Sequence, residues 1–140
     1  MLWNSTYETG IPAIDAQHKE LFRQVDVLLD GTKADRVTDT LNFLGGYVVK
    51  HFSTEEALQA QVAYPKMPTH KRKHGDFIDT FKKLRQEYQA SGNSPIMLMK
   101  ISQAALNWLK EHIRVEDKEF AAFYLAAPQQ RPQSPATARA

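Results

Sequence analysis

Histidines and carboxylates at helical spacing are the residues of this chain that could do chemistry. His51 and Glu55 lie four positions apart, and His70 and His74 repeat that spacing. Four residues advance about 400° around an α-helix, so the two members of each pair project from one face and can bind the same ion. The chain has five histidines, and the remaining two are the first candidates for further ligands: His18 and His112.

The absence of cysteine limits the metal chemistry. Without cysteine, thiolate metal sites, disulfides and cysteine nucleophiles are excluded, and a metal must be held by imidazole and carboxylate. Imidazole suits iron, zinc or copper, and one carboxylate can bridge two ions through its two oxygens. Five histidines are too many for one ordinary ion, so the composition favours two ions.

The bulk properties predict a small single-domain protein. A length of 140 residues and a mass of 16.0 kDa are typical of one domain. The formal charge of +2, from 18 basic and 16 acidic residues, is too balanced to indicate nucleic-acid or membrane-surface binding. Residues 1–7 lack a signal-peptide pattern, and no later stretch is apolar enough to span a bilayer. We expect a cytoplasmic monomer with neither nucleic acid nor membrane as partner.

Four stretches of the chain carry the apolar period of a helix with one buried face, at alternating steps of three and four residues. The first predicted helix has Asp15 as N-cap and ends before Gly31. The second begins within residues 32–35 and continues to residue 62, with Leu58 on its inward stripe. Gly45-Gly46 lies inside this second helix and predicts a bend or a close helix contact.

Two further helices complete the predicted architecture. The third has Pro68 in its first position and closes at Ser91-Gly92, and the fourth begins with Ser94-Pro95. Four amphipathic helices with short connections predict an all-α, antiparallel up-down-up-down four-helix bundle.

The two ends of the chain differ from the helical middle. Residues 1–14 contain Gly10 and Pro12, which disfavour a helix, and are expected to form an extended arm across the core. Residues 120–125 are expected to form a short C-terminal helix. Residues 127–140 lack hydrophobic periodicity and are typical of a flexible, mobile tail. We therefore expect one domain over residues 1–126.

All five histidines and Glu55 fall on the inward stripes of these helices. Unpaired polar groups at such positions cost several kcal/mol each, and a metal centre would remove that cost. A single inward histidine is more often a hydrogen-bonded core residue than a ligand. Five inward histidines on four helices instead favour a metal centre.

A second bridging carboxylate is needed for a dinuclear centre, and the fourth helix offers two. Asp117 lies five residues after His112, which is about 140° around a regular helix. Glu116, four residues after His112, fits regular geometry better. We predict a widened π-type turn, or a loss of regularity, near residues 112–117 that brings Asp117 inward.

The combined pattern resembles the hemerythrin family. Its signature is one histidine on the first helix, then His-x-x-x-Glu, His-x-x-x-His and His-x-x-x-x-Asp on the next three, here matched by His18, His51/Glu55, His70/His74 and His112/Asp117. The flanking sequence is similar to that of the single-domain bacterial branch of the family, the bacteriohemerythrins, at Gln17-His18, Tyr64-Pro65 and Trp108-Leu109. The resemblance covers roughly residues 3–124 and is specific because seven positions match together.

The resemblance implies a non-heme di-iron centre, with an oxo or hydroxo bridge, that binds O2 reversibly. One iron would take three histidine ligands: His70, His74 and His112. The other would take two: His18 and His51. Two carboxylates would bridge both: Glu55 and Asp117. The second iron would then have an open position for O2, within an apolar pocket formed by Leu21, Phe52, Trp108, Leu109 and Ile113.

The functions that fit such a centre fall into three classes. The first is a binding protein that carries, stores or senses O2, with a protein recipient that the sequence does not identify. The second is a di-iron enzyme acting on peroxide or nitric oxide, and the third is an iron-storage or scavenging protein. A histidine-rich centre favours reversible binding, and the sequence shows no spare acid or base. We therefore expect a binding protein rather than an enzyme.

Two residues close to Glu55 carry further expectations. Glu56 is expected to be exposed or to hydrogen-bond a ligand imidazole. Gln59 occupies a position where the hemerythrin family often has methionine. If Gln59 points inward, its amide would admit water, and we expect faster autoxidation than in a relative with methionine there.

Overall fold

The described part of the chain is helical and contains no strand. The computed structural model describes residues 2–30 and 36–127. A 3-10 turn at Ser5–Tyr7 and a π-helical segment at Ile113–Asp117 accompany the α-helices. These α-helices are α1 (Pro12–Leu29), α2 (Val37–Gln61), α3 (Met67–Ala90), α4 (Pro95–His112) and α5 (Lys118–Leu125).

Helices α1 to α4 form a closed bundle around one apolar core. Each packs against the next, and α1 also packs against α4. Short connections between neighbours make successive helices antiparallel. Fully buried side chains of this core include Leu21, Phe22, Leu44 and Ile101. The predicted all-α four-helix bundle with a short C-terminal helix is confirmed.

Local sequence signals explain the ends of α3 and α4. The Ser94 side chain accepts a hydrogen bond from the backbone N–H of Met97 at 3.4 Å, and Pro95 occupies the first turn of α4. Gly92 has a φ of +73°, a left-handed conformation that ends a helix at little steric cost for glycine. Pro68 lies in the first turn of α3, which begins one residue earlier than predicted, at Met67.

The prediction that Asp15 caps the first helix is wrong. Helix α1 already begins at Pro12, with Ile11 in the cap position. The Asp15 carboxylate instead accepts hydrogen bonds from the backbone N–H and the hydroxyl of Thr9, both at 2.8 Å, and from the backbone N–H of Gly10 at 3.2 Å. Because Thr9 and Gly10 belong to the N-terminal arm, Asp15 ties this arm to α1.

The N-terminal arm is shorter than predicted, because residues 12–14 are helical. Its described part, residues 2–11, lies against the bundle, with Trp3 packed on the core. Tyr7 is buried and its ring centroid lies 5.2 Å from that of Phe22. The arm therefore lies on the core, as the sequence predicts, but it is not extended throughout, because Ser5–Tyr7 form a 3-10 turn.

The glycine pair in α2 produces a close contact and no break in the helix. A Cβ atom at Gly45 would lie 2.9 Å from Nη1 of Arg85 on α3, whereas one at Gly46 would meet nothing within 4 Å. The Arg85 guanidinium donates a hydrogen bond to the backbone carbonyl of Leu41 at 3.4 Å. Gly45 thus gives the Arg85 side chain room between α2 and α3.

Several predictions lie outside the described residues. These are the helix end at Gly31, the start of the second helix within residues 32–35, and residues 128–140 of the predicted tail. The division into a domain over 1–126 and a tail over 127–140 stays a prediction. In the described ranges, no helix combines the length and the apolar character needed to cross a membrane.

Candidate metal centre

Seven polar side chains meet inside the bundle, where each is at most 4% exposed. They come from α1, α2, α3, α4 and the π segment. The set contains every candidate ligand that the sequence offered except Glu116: His18, His51, Glu55, His70, His74, His112 and Asp117. The helices therefore bring together five imidazoles and two carboxylates inside the bundle.

Five of these residues form what we call the three-histidine group: Glu55, His70, His74, His112 and Asp117, whose ligating atoms lie within 4.8 Å of one another. The Nε2 atom of His112 lies 3.0 Å from Nε2 of His70 and 3.1 Å from Nε2 of His74. Oε1 of Glu55 lies 2.8 Å and 2.9 Å from the same nitrogens of His70 and His74. Three imidazoles thus direct one nitrogen each toward a common point.

A second set, the two-histidine group, consists of His18, His51, Glu55 and Asp117, again with ligating atoms within 4.8 Å of one another. Nε2 of His18 lies 3.0 Å from Oδ2 of Asp117. Glu55 and Asp117 belong to both groups, so each carboxylate faces two clusters of nitrogen atoms. This division is the one that the family resemblance implies, whereas the ligand roles themselves remain a prediction.

The π-helical segment explains how Asp117 joins the cluster. Residues Ile113–Asp117 form a widened turn directly after His112, and a wider turn brings positions five apart closer to one face. The predicted irregularity is confirmed. Glu116 instead turns toward the outside, where its carboxylate accepts a hydrogen bond from Nζ of Lys73 at 2.8 Å. The structure therefore places Asp117, and not Glu116, between the two groups.

Two histidines are oriented by different outer partners. Nδ1 of His74 lies 2.8 Å from Oε2 of Glu56, and Nδ1 of His51 lies 2.8 Å from Oε1 of Gln17. In each case Nδ1 donates to an oxygen, which leaves Nε2 free to face the cluster. The expectation that Glu56 hydrogen-bonds a candidate ligand is confirmed.

The role of Gln17 was missed by sequence reasoning. One hint was present in the sequence: the Gln17-His18 pair belongs to the flanking residues that resemble those of the bacteriohemerythrins. Gln17 contacts the histidine of another helix, His51 on α2. Such a contact depends on how α1 and α2 are rotated against each other, which the spacing within one helix does not reveal.

The two groups also differ in electrostatics. Burial, reinforced by the neighbouring His18, lowers the pKa of His51 to about 4. Burial alone would lower the pKa of His70 as well, but the adjacent carboxylates of Asp117 and Glu55 raise it to about 9. At neutral pH without metal, His51 is therefore neutral and His70 is protonated.

The two carboxylates are held in the charged state. Burial and mutual repulsion raise the pKa of Glu55, but the imidazoles of His70 and His74 outweigh them and leave it below its ordinary value. Burial likewise opposes ionisation of Asp117, yet His112 and the other imidazoles around it hold its pKa well below its usual range. Both groups therefore present anionic oxygens.

The buried polar atoms of the cluster fit a bound cation. Both nitrogens of His18 and all four carboxylate oxygens of Glu55 and Asp117 lack a hydrogen bond of good geometry among the described residues. Leaving such atoms unsatisfied costs roughly 1–3 kcal/mol each, and metal coordination would remove that cost. Imidazole and carboxylate donors without thiolate are a set that suits iron.

The five predicted pocket residues lie in the main apolar core. Four are at most 2% exposed and the fifth, Trp108, is partly buried: Leu21, Phe52, Leu109, Ile113 and Trp108. The Phe52 ring stacks on His74 at a centroid distance of 3.8 Å, and Trp108 stacks on His112 at 4.2 Å. Both aromatic rings thus lie against the three-histidine group. Their part in an O2 pocket stays a prediction.

The fold and the site together define a class of protein: a four-helix bundle with buried, histidine-rich candidate metal ligands in two groups that share two carboxylates. The family model described as the hemerythrin HHE cation binding domain matches residues 9–124. Since this match covers most of the chain, the chain belongs to the hemerythrin family. Recognition of the family from the ligand pattern is confirmed.

Curated relatives agree with the family model. A bacteriohemerythrin of Clostridium acetobutylicum is 32% identical over 129 residues, which cover 85% of this chain and 97% of the relative. A bacteriohemerythrin of Stenotrophomonas maltophilia is 28% identical, covering 86% of this chain and 79% of its own length. A myohemerythrin of Theromyzon tessulatum is 28% identical, covering 84% and 88%. The similarity thus extends over 79% to 97% of the length of these relatives.

Proposed function

We propose that the protein binds O2 reversibly at a non-heme di-iron centre. The observation that carries this proposal is the pair of donor groups that share Glu55 and Asp117 but contain unequal numbers of histidines. Membership of the hemerythrin family and the similarity to bacteriohemerythrins and a myohemerythrin support it.

The proposed ligands follow the two groups. The three-histidine group would hold one iron and the two-histidine group the other, with Glu55 and Asp117 bridging both. The iron pair, when bound, supplies the redox chemistry by which O2 is held reversibly. The two-histidine group has one nitrogen donor fewer, and this difference leaves a position for O2.

Outer residues of the chain prepare the donors before metal arrives. Glu56 and Gln17 fix the ring orientation and the tautomer of His74 and His51, so that Nε2 faces the centre in both. The π segment directs Asp117 into the same space. Because these groups are held by the fold, little side-chain freedom is lost on metal binding.

The balance of charge favours reversible binding over oxidation. Two carboxylates and five neutral imidazoles leave a pair of divalent ions with an excess of positive charge. Carboxylate-rich di-iron sites neutralise their metals more completely and favour higher oxidation states. We propose that the apolar side chains of Leu21, Leu109 and Ile113 keep water away from the centre, which limits irreversible loss of bound O2.

We further propose that the protein is a binding protein and not an enzyme. Among the described residues, the one buried carboxyl or imidazole group outside the donor groups belongs to Asp15, which is hydrogen-bonded to Thr9. A di-iron enzyme acting on a substrate would need a further acid, base or polar substrate contact. The proposed site instead commits its histidines, Glu55 and Asp117 to metal.

The visible spectrum of the iron-loaded protein tests this function. It is recorded without O2, in air, and again after O2 is removed. We expect a charge-transfer band that appears in air and disappears on deoxygenation over repeated cycles. Irreversible conversion to a ferric form on first exposure would reject reversible binding. Metal analysis that finds a single ion, or zinc, in protein isolated from its native host would reject the di-iron centre. Steady consumption of peroxide or nitric oxide would favour the enzyme.

A further inference from the structure

Gln59 is a buried polar side chain outside the two donor groups. It lies on α2 one turn after Glu55 and has no exposed surface. Neither atom of its amide has a hydrogen-bond partner among the described residues. Burying an amide without a partner is costly, so the amide is expected to bind a hydrogen-bonding ligand.

The positions that correspond to Gln59 on neighbouring elements are apolar. Ile14 lies one turn before His18 on α1, and Phe120 and Ala121 lie one turn after Asp117 on α5. All three are at most 2% exposed and belong to one apolar cluster. Their hydrocarbon side chains offer the Gln59 amide neither a donor nor an acceptor.

Glu55 is the polar side chain one turn before Gln59 on α2. Helical side chains tilt toward the N-terminus of their helix, so Gln59 leans toward the turn that carries Glu55. Both carboxylate oxygens of Glu55 also lack a well-formed hydrogen bond. Glutamate and glutamine four residues apart on a helix can bond directly, as Glu20 and Gln24 do at 2.7 Å, but Glu55 and Gln59 do not. One water molecule can connect two such groups when they lie too far apart for a direct hydrogen bond.

We propose that Gln59 binds a buried water molecule between its amide and the Glu55 carboxylate, next to the two donor groups. The water would donate one hydrogen bond to a carboxylate lone pair and another to the Gln59 carbonyl oxygen, or accept one from the Gln59 amide N–H. Buried waters need two to four polar partners, and these two side chains supply them. The water site rests on Gln59 and Glu55, whereas its effect on O2 rests on the proposed function.

The effect on O2 follows from the position of the water. A water molecule beside Glu55 brings exchangeable protons close to an apolar cluster that includes Ile14, Phe120 and Ala121. Water and protons near a reactive centre promote side reactions that a dry site prevents. Gln59 therefore shortens the time for which the protein stays in its O2-binding form.

Crystal structures of the iron-loaded protein and its Gln59→Met variant test the water site. In the unmodified protein we expect an ordered water within hydrogen-bond distance of both the Gln59 amide and the Glu55 carboxylate, and in the variant we expect none. Gln61→Met is the matched control, because Gln61 is exposed near the end of the same helix. A direct bond from Gln59 to a protein side chain, or a pocket without ordered water, would overturn the site.

The lifetime of the O2-binding band in air tests the effect separately. We expect Gln59→Met to lengthen it several-fold, while Gln61→Met leaves it unchanged. An unchanged lifetime in Gln59→Met would overturn the effect on O2. If the unmodified protein shows no reversible band, the proposed function fails, and the crystal structures still decide the water site.

Discussion

The three-histidine group and the two-histidine group share two carboxylates and differ in their surroundings. The first orients His74 through the carboxylate of Glu56, and the second orients His51 through the neutral amide of Gln17. The pKa of His70 in the first group is about 9, whereas that of His51 in the second is about 4. Two sites built from the same residue types are therefore unlike before any metal is bound.

The difference shows how one bundle can give two ions separate tasks. A carboxylate partner makes an imidazole a stronger donor, and an amide partner orients it without adding charge. The three-histidine group has more donors and a more anionic environment, which suits an ion that stays fully coordinated. The two-histidine group has fewer donors, which suits an ion that must accept a further ligand.

Removal of Glu55 should have the largest effect, because this carboxylate belongs to both groups. We expect Glu55→Ala to lose most of both irons, measured as iron per chain after gel filtration. Glu111→Ala is the control, since it removes an exposed carboxylate and leaves every proposed ligand and its outer partner in place. Circular dichroism verifies that the helices remain. Retention of two irons by Glu55→Ala would contradict a shared bridge.

Removal of one histidine from each group should separate them. In His18→Ala the two-histidine group retains a single imidazole, so we expect about one iron per chain and no reversible O2 band. In His112→Ala each group retains two imidazoles, and we expect both irons with weaker retention. Equal iron contents in the two variants would show that the groups do not act as separate sites.

The stability of the metal-free protein should depend on pH in opposite ways for the two groups. Since the pKa of His70 is raised from 6.5 to about 9, its stabilisation is complete below pH 6.5 and is lost as pH rises through 9. This loss amounts to roughly 3 kcal/mol. Since the pKa of His51 is lowered to about 4, the folded state resists its protonation, and stability falls as pH decreases below 6.5.

Urea unfolding of the metal-free protein between pH 5 and pH 9.5 measures how its stability changes on both sides of pH 6.5. Below pH 5 the low pKa values of Glu55 and Asp117 add a further loss, because their stabilisation disappears as they protonate. We expect His70→Gln to reduce the change in stability above pH 6.5, and His51→Gln to reduce the change below pH 6.5. A profile that neither substitution changes would remove the electrostatic difference between the groups.

Exchange of the outer partners should have the smallest effect. Glu56→Gln gives His74 the amide partner that His51 has, and Gln17→Glu gives His51 a carboxylate. Changes of this kind alter metal affinity by about 10-fold to 100-fold. In competition with a chelator, we expect Glu56→Gln to release iron more readily and Gln17→Glu to retain it more strongly. Opposite signs would contradict the roles given to these partners.

The ligand pattern was predictable because it follows the period of single helices. Spacings of four residues placed His51 with Glu55 and His70 with His74. The fourth helix offered two carboxylates, Asp117 and Glu116, and the family resemblance favoured Asp117. The five-residue spacing after His112 required an irregular turn, and the π segment provides it. These features depend on the geometry of a single helix, which the spacing of residues in the sequence reveals.

Features that depend on contacts between elements were not predictable in this way. Asp15 has the residue type of a helix cap, but its donors lie in the preceding arm. Leu58 and Gln59 are three and four residues after Glu55, and both spacings fit an inward stripe. The structure leaves Leu58 half-buried and buries Gln59 completely. Only the packing of neighbouring helices decides between such positions.

The π segment also sets the rotation of everything that follows it. A widened turn accommodates an extra residue, and one residue corresponds to about 100° of rotation in an α-helix. Helix α5 therefore presents Phe120, Ala121 and Tyr124 to the interior because of the same irregularity that brings Asp117 inward. Deletion of one residue from the segment would misplace the carboxylate and unseat α5 together. The apolar packing around Phe120 thus helps to hold the Asp117 carboxylate in its orientation.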